Sequence, residues 1–145
     1  MPSWGEFERA DPEPSSFGRA RLAGGVAFLA TLRADGGPRV HPVSLWFASD
    51  RCLVRMYPSS PKVRDLERDG RYAVHSLITD DEGTAGEFAM RGVARGLADP
   101  DVLGLVNAGK DDPERYVVFE LDVGDALGTT YDGEATVRRR FPPAI

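Results

Sequence analysis

The chain has 145 residues, of which 41% are hydrophobic and 28% are charged, and its formal net charge is −5. This length corresponds to one domain with its own core, and we expect residues 1–145 to form it. The acidic balance argues against binding to nucleic-acid phosphates, and no apolar segment is long enough for a membrane span, so we expect a cytoplasmic protein. A single cysteine, Cys52, and two histidines predict neither a disulfide nor a metal site.

The beginning of the chain offers little hydrophobic patterning. Residues 1–14, MPSWGEFERADPEP, are mostly polar and acidic, and we expect them to form a flexible arm. The next stretch, SSFGRARLAGG, predicts a short helix that begins at Ser15 or Ser16 and stops at Gly24–Gly25.

Most of the remaining chain predicts strands. Residues 26–57 are apolar and β-branched and predict three strands, separated by hairpin-type turns at 35–37 and 48–50. Further strands are predicted at 71–78, 87–99, 115–131 (bent at Gly124) and 135–141, with short helices at 61–69 and from Asp99-Pro100 to about Ala108. Many strands with short connections predict a mainly β protein, an antiparallel barrel, because closing the sheet removes its exposed edges.

One corner of this pattern suggests an anion site. The segment YPSSPKVRDLERDG follows the third strand and turns at once into a charged helix. The free N–H groups and the positive dipole end at the helix start, beside Ser59 and Ser60, favour a phosphate. Lys62 and Arg64 would add charge-assisted contacts. The alternative is that Ser60 is only the N-cap and Pro61 the first helical residue, with both basic side chains in solvent.

The ordered set of segments resembles the flavin-binding split-barrel family that includes pyridoxamine 5′-phosphate oxidase and the deazaflavin-dependent reductases. The shared features are a strand-turn-strand FLATLRADGGPRVHPV, a third strand ending in a polar loop, K-x-R-x-L-x-x-D on the helix, RYAVHSL after it, and a later strand GEFAMRGVARGL. Together they cover about residues 26–98. The resemblance implies a homodimeric antiparallel split β-barrel, with two equivalent cofactor sites at the subunit interface.

The resemblance also implies the residues that bind the cofactor. The phosphate would lie at the start of the lysine-bearing helix, and the flat ring against strands two and three. The implied phosphate contacts are Lys62, Arg64, Ser59 and Ser60, and the implied ring contacts are Arg39, Val40, His41, Pro42, Val43, Ser44, Arg55 and Met56. Three departures stand out: Pro61 replaces a frequent arginine, Glu87 replaces a frequent amide, and TVRRRFPPAI lacks the Arg-x-His pattern that binds pyridoxal substrates. A vitamin B6 oxidase is therefore not expected.

By this resemblance the function would be that of an FMN-dependent oxidoreductase acting on an unknown small molecule, with the deazaflavin coenzyme F-420 as the alternative cofactor. No catalytic acid or base is indicated except His41 as a candidate. Two other functions stay open: a non-catalytic flavin carrier or sensor, and a haem-binding split barrel with His41 or His75 as axial ligand. The neighbours of His75, Ala73 and Leu77, predict a structural position in the core.

Overall fold

The computed structural model describes residues 1–23, 25–80, 82–108 and 115–143. The helices within these ranges are α1 (Trp4–Ala10), α2 (Pro12–Ala23), α3 (Pro61–Arg68) and α4 (Pro100–Val106). The strands are β1 (Val26–Leu32), β2 (Pro38–Ala48), β3 (Arg51–Met56), β4 (Arg71–Ser76), β5 (Glu87–Gly96), β6 (Val117–Leu121), β7 (Asp125–Asp132) and β8 (Ala135–Phe141). No helix in the described parts of the chain is long and apolar enough to cross a membrane.

Six strands close into an antiparallel barrel in the order β4–β1–β2–β3–β6–β5, with β5 pairing back onto β4. β7 pairs with the other edge of β5, and β8 with β7, so the sheet continues beyond the barrel. Along that edge of β5, residues 87–91 pair with β7 and residues 94–96 with β6. Between them Gly92 allows close approach, since an added Cβ would lie 2.0 Å from the Asp122 carbonyl oxygen. The predicted mainly β, antiparallel barrel is confirmed.

The expected flexible arm at residues 1–14 is wrong. Trp4 and Phe7 are 1% and 0% exposed and belong to the main core. The Trp4 ring packs edge-on against Phe7 and Phe47 at centroid distances of 5.1 and 4.9 Å. Trp4 and Phe7 are one helical turn apart on α1, and that single face supplies enough apolar surface to dock the helix on the barrel.

Two boundaries differ from the sequence prediction. α2 begins at Pro12, ahead of the predicted start at Ser15 or Ser16. Of the predicted stop residues Gly24 and Gly25, Gly24 lies outside the described residues. The predicted strand 115–131 is two strands, because the chain leaves the barrel at residues 122–124. There Val123 donates its N–H to the Pro2 carbonyl at 2.7 Å and Gly124 donates to the Arg91 carbonyl at 2.8 Å. The predicted bend at Gly124 thus falls where β6 gives way to β7.

α4 covers the outside of β3 and β6 with a second, smaller core. Its members are Leu53, Val102, Val106 and Val118, all buried. The predicted helix start is confirmed, since Asp99 Oδ1 accepts hydrogen bonds from the backbone N–H groups of Asp101 and Val102 at 3.0 and 3.4 Å.

Candidate functional site

The barrel is split between β2 and β3. Their ladder joins Leu45–Ala48 to Arg51–Val54 and includes no other residue pair in the described chain. The rest of β2, from Pro38 to Ser44, pairs only with β1, while the end of β3 pairs with β6. Within the described chain, the β3-facing edge of β2 therefore has backbone groups without a strand partner from Pro38 to Ser44, most of the 11-residue strand, next to the point where β3 runs into α3.

The β3–α3 corner contains Lys62, which has no counter-ion among the described residues. The turn after β3 is closed by a hydrogen bond from the Ser60 N–H to the Tyr57 carbonyl at 2.9 Å, and α3 starts one residue later. Lys62 Nζ is partly buried and donates to Ser60 Oγ at 2.8 Å. Burial lowers the pKa of Lys62, and none of the described carboxylates forms an ion pair with it. Because a buried charge is costly unless it is paired, this corner is suited to bind an anion.

The Ser60 hydroxyl does not cap α3. Its side chain makes no hydrogen bond to an N–H group of the first turn, in a part of the chain that is fully described. Ser60 thus occupies the N-cap position and Pro61 the first helical position, as the alternative predicts, but the hydroxyl makes no capping hydrogen bond. Pro61 has no N–H and Val63 donates its N–H to the Ser60 carbonyl at 3.0 Å, so the Lys62 N–H is the first-turn donor that a bound anion could use. Ser59 lies exposed in the same turn.

His41 borders the same corner from β2. Its Nε2 atom is enclosed and has no hydrogen-bond partner among the described residues. Burial lowers the pKa of His41, and the charges of Lys62 and Arg39 lower it further, against an opposite effect of Asp65. The imidazole is thus neutral at pH 7, and its enclosed nitrogen can still donate or accept one hydrogen bond.

Asp65 fixes the position of α3, and the sequence reasoning missed it. Its carboxylate accepts hydrogen bonds from Thr31 Oγ1 and Arg39 Nε, both at 2.7 Å, and from Arg68 at 3.0 Å. Burial raises the pKa of Asp65, but these three hydrogen bonds outweigh it and the net pKa is lowered. The signal that could have found it is a carboxylate on the buried face of α3, between Val63 and Leu66. Arg39 is consequently committed to Asp65.

Arg64 is not brought together with Lys62. Two residues correspond to a rotation of about 200° around a helix, so the two side chains leave α3 on different sides. Arg64 is exposed and lines a separate open groove of about 330 Å³, together with Arg33, Asp35 and Arg68. The predicted phosphate contacts therefore divide into a corner made by Ser59, Ser60 and Lys62, and a second cationic groove behind it.

The predicted ring contacts divide between the two faces of the barrel wall. Pro42 and Ser44 are exposed on the outside, whereas Val43 and Met56 are buried inside, so only the backbones of the latter two can reach a ligand. Arg55 lies outside on β3, where it donates to the Val106 carbonyl at 2.8 Å and stacks 4.9 Å from the Trp46 ring centroid.

The outer face of β2, β1, β4 and β5 is apolar and concave. One row of cross-strand neighbours runs from Pro42 through Phe28, His75 and Ala89 to Leu127, and a second from Val40 through Ala30 and Ala73 to Arg91. All of these residues except Pro42 line a depression of about 360 Å³. Val40 is 62% exposed and Phe28 39% exposed. We call this surface the outer apolar face; exposed apolar patches of this kind mark binding surfaces.

His75 belongs to this outer face, so its predicted core position is wrong. Leu77, which was expected to be buried with it, is 42% exposed. His75 Nδ1 lies 2.6 Å from the Ser76 carbonyl oxygen, which can only accept, so Nδ1 carries the proton and Nε2 is the basic nitrogen. Nε2 is 3.9 Å from a carboxylate oxygen of Glu87.

Neither a protein-family model nor a curated protein sequence matches this chain. Solved structures do. A pyridoxamine 5′-phosphate oxidase-related, FMN-binding protein from Nostoc punctiforme superposes with a TM-score of 0.66 at 15% identity, over 91% of this chain and 87% of the other. A haem-binding protein from Mycobacterium smegmatis gives 0.65 at 18% identity, over 88% of this chain and 58% of the other. HutZ, the haem storage protein from Vibrio cholerae, gives 0.58 at 17% identity, over 78% and 89%.

The chain has the split β-barrel fold of the pyridoxamine 5′-phosphate oxidase-like proteins. The fold expected from the resemblance is thereby confirmed. One of these solved structures is named as FMN-binding and two as haem-binding or haem storage proteins, so the fold alone does not identify a cofactor.

Proposed function

We propose that this split barrel binds FMN, with its phosphate at the β3–α3 corner, and is a flavin-dependent oxidoreductase for a small molecule. The observation that carries the proposal is Lys62, a partly buried ammonium whose hydrogen bond goes to the Ser60 hydroxyl and which no described carboxylate neutralises. A phosphate would supply the missing charge. It would also meet the Lys62 N–H at the start of α3, where Pro61 has no N–H and Val63 donates to the Ser60 carbonyl.

The remaining residues fit a flat ring beside the corner. The unpaired edge of β2 between Pro38 and Ser44 presents backbone groups, and His41 Nε2 is an enclosed polar atom without a partner among the described residues. FMN would supply hydride chemistry when bound. The chain would supply the phosphate contact through Lys62 and Ser60, and backbone contacts to the ring at Val43 and Ser44. His41, neutral at pH 7, could exchange a proton at Nε2.

The proposed functional unit is a homodimer joined through the outer apolar face. Val40 and Phe28 expose large apolar surfaces there, and the face borders the free edge of β2 at Pro42 and Ser44. Covering this face with a second copy would bury apolar area and place each cofactor between the subunits.

The cofactor can be identified by titrating the purified protein separately with FMN, coenzyme F-420 and haemin, following flavin fluorescence and visible absorption. We expect FMN to bind most tightly. Lys62→Met should weaken FMN binding about ten- to hundredfold, because one charge-assisted phosphate contact is lost. Arg64→Met is the matched control: it removes a charge two residues away on the opposite side of α3 and should leave FMN affinity unchanged.

Turnover separates an enzyme from a flavin carrier. The FMN complex should bleach with a nicotinamide donor and recover its colour with an electron acceptor through many cycles. A complex that stays yellow with every donor would identify a carrier or sensor. Equal FMN affinity in the Lys62→Met protein would refute the corner as the phosphate site, and tighter binding of F-420 would change the cofactor assignment.

A haem-binding function is the second candidate, favoured by His75. Its protonated Nδ1 is fixed by the Ser76 carbonyl, which leaves Nε2 as a ligand atom at the outer apolar face. Arg140 lines the same depression and could pair with a carboxylate of a porphyrin, whereas Arg91 is already paired with Asp125 at 2.9 Å. Haemin titration tests this function: a Soret band lost in His75→Ala and retained in His41→Ala would support it, and a haemin spectrum unchanged by His75→Ala would refute it.

A further inference from the structure

A row of aromatic rings and guanidinium groups lies on the outside of the barrel beside the split. The Arg55 guanidinium is 4.9 Å from the Trp46 ring centroid and 5.1 Å from that of Tyr116. The Tyr57 ring lies 5.1 Å from the Tyr116 ring and 5.1 Å from the Arg115 guanidinium. We call these five residues the aromatic–arginine array. Such stacking holds flat groups in fixed orientations.

Arg55 is the cation of the array whose position is fixed by the fold. It donates to the Val106 carbonyl at 2.8 Å, at the C-terminal end of α4, and is held between two rings. No carboxylate in the described ranges pairs with it. Arg51, on the same face of the same strand, shows the contrast, because it donates to the buried Glu120 carboxylate at 2.7 Å. Arg55 therefore keeps donors of its planar fork for an external anion.

The array adjoins the proposed flavin site. Arg55 is the first residue of β3 beyond the β2–β3 ladder, and continuing that register would place it opposite Ser44 on the free edge of β2. Tyr57 begins the turn that carries Ser60, whose N–H it accepts. Trp46 is 41% exposed and Tyr57 50% exposed, so both present ring surface to a ligand.

We propose that the aromatic–arginine array binds the substrate, and that this substrate is a planar aromatic carboxylate. Its carboxylate would pair with the Arg55 fork and its ring would stack on the exposed side of Trp46. Paired donors on a rigid fork match the two oxygens of a carboxylate, and an adjacent aromatic face favours a flat ring. In a chain with a net charge of −5, an anionic substrate needs such a local cation. The substrate role rests on the proposed flavin function; the binding of the carboxylate does not.

Calorimetric titration with 2-naphthoate and its uncharged analogue 2-naphthamide tests the proposal on the cofactor-free protein. We expect naphthoate to bind about tenfold more tightly or better, since only it can pair with the guanidinium. Arg55→Met should remove this preference, and Arg55→Lys, which keeps the charge without the planar fork, should restore only part of it. Equal binding of the two compounds to the unmodified protein would overturn the proposal without any variant.

Two controls distinguish a direct contact with Arg55 from an indirect effect of the substitution. Asp99→Ala removes the N-cap of α4, the helix that Arg55 contacts. An equal loss of naphthoate binding in that variant would assign the effect to α4 and overturn the proposal.

The second control compares the two binding sites. The FMN affinity of the Arg55→Met protein should equal that of the unmodified protein, and so should the naphthoate affinity of the Lys62→Met protein. Loss of FMN affinity in Arg55→Met would place Arg55 in the cofactor site instead. If FMN fails to bind at all, the flavin proposal falls while the naphthoate result still decides the array.

Discussion

Lys62 Nζ donates to Ser60 Oγ at 2.8 Å, and the hydroxyl thereby serves the lysine instead of the first turn of α3. The two side chains meet at a helix start where the Lys62 N–H is the available backbone donor, since Pro61 has no N–H and Val63 donates to the Ser60 carbonyl. Of the predicted phosphate contacts, Ser60 and Lys62 are the two that the fold brings into direct contact. Because the Ser60 hydroxyl binds Lys62 and caps no N–H group of α3, its removal should affect an anion site more than the stability of the helix.

Ser60→Ala should change FMN affinity more than fold stability. Because no N–H group of α3 is capped by this hydroxyl, we expect the free energy of unfolding in urea to change by less than about 0.5 kcal/mol, whereas removing a working N-cap costs about 1 kcal/mol. FMN affinity should fall several-fold. Asp99→Ala, at a helix start that is capped, is the control that should show the full loss of stability. A loss of that size in Ser60→Ala would show that the hydroxyl caps α3 after all.

His41 should make the protein less stable as the pH falls. Its pKa in the folded protein is lowered by burial and by Lys62 and Arg39, so the unfolded chain binds a proton first, from pH about 6.5 downward. Stability is therefore lost between pH about 6.5 and the lower folded pKa, and stays lost below it. Urea denaturation between pH 8 and 5 should show a steeper decline for the unmodified protein than for His41→Gln.

The same histidine reports on the bound anion. A phosphate next to Lys62 opposes the charge that lowers the pKa of His41, so adding FMN should raise that pKa in an NMR titration. His75→Gln identifies which of the two histidine resonances is observed. A pKa of His41 that does not move when FMN binds would place the phosphate elsewhere.

The N-terminal helix should contribute as much to stability as a core strand. Trp4→Ala and Phe7→Ala each remove a fully buried ring, and we expect each to lower the free energy of unfolding by about 3–5 kcal/mol. Arg9→Ala on the same helix breaks only an exposed ion pair with Asp50 and should cost less than about 0.5 kcal/mol. If the Trp4 and Phe7 variants unfold like the Arg9 variant, α1 is not docked in solution.

The homodimer proposal is tested by charge on the outer apolar face. Val40→Arg places a cation at the most exposed apolar side chain of that face, and sedimentation analysis should show monomers where the unmodified protein shows dimers. Val137→Arg, on β8 and outside that face, is matched in chemistry and should leave the dimer intact. An unmodified protein that sediments as a monomer at micromolar concentration would contradict the proposed assembly.

Local signals in the sequence were enough for most of the barrel. The hairpin turns at 35–37 and 48–50 and the Asp99-Pro100 helix start depend on residues next to one another, and each is where it was predicted. The failures depend on contacts between distant segments. Trp4 and Phe7 lie in a polar stretch and become core only because the barrel offers them a partner, and the break at 122–124 depends on Pro2 and Arg91.

Only part of the candidate site could be predicted, because some of its contacts join residues that are far apart in the sequence. Ser60 and Lys62 are close in the chain and lie at the helix start as predicted, with Ser60 at the N-cap position; that its hydroxyl binds Lys62 instead of a first-turn N–H was not predicted. That Arg64 and Lys62 leave α3 on different sides follows from the helix period and was overlooked. The binding of Arg39 by Asp65 could not be predicted, because that contact joins residues far apart in sequence.

The most direct test compares FMN with riboflavin, which has the same ring but no phosphate. If the β3–α3 corner binds the phosphate, the unmodified protein should bind FMN at least about a hundredfold more tightly than riboflavin, and Lys62→Met should reduce that ratio about tenfold or more while leaving riboflavin affinity unchanged. Equal affinities for FMN and riboflavin, or an FMN preference that survives in Lys62→Met, would contradict a phosphate site at this corner.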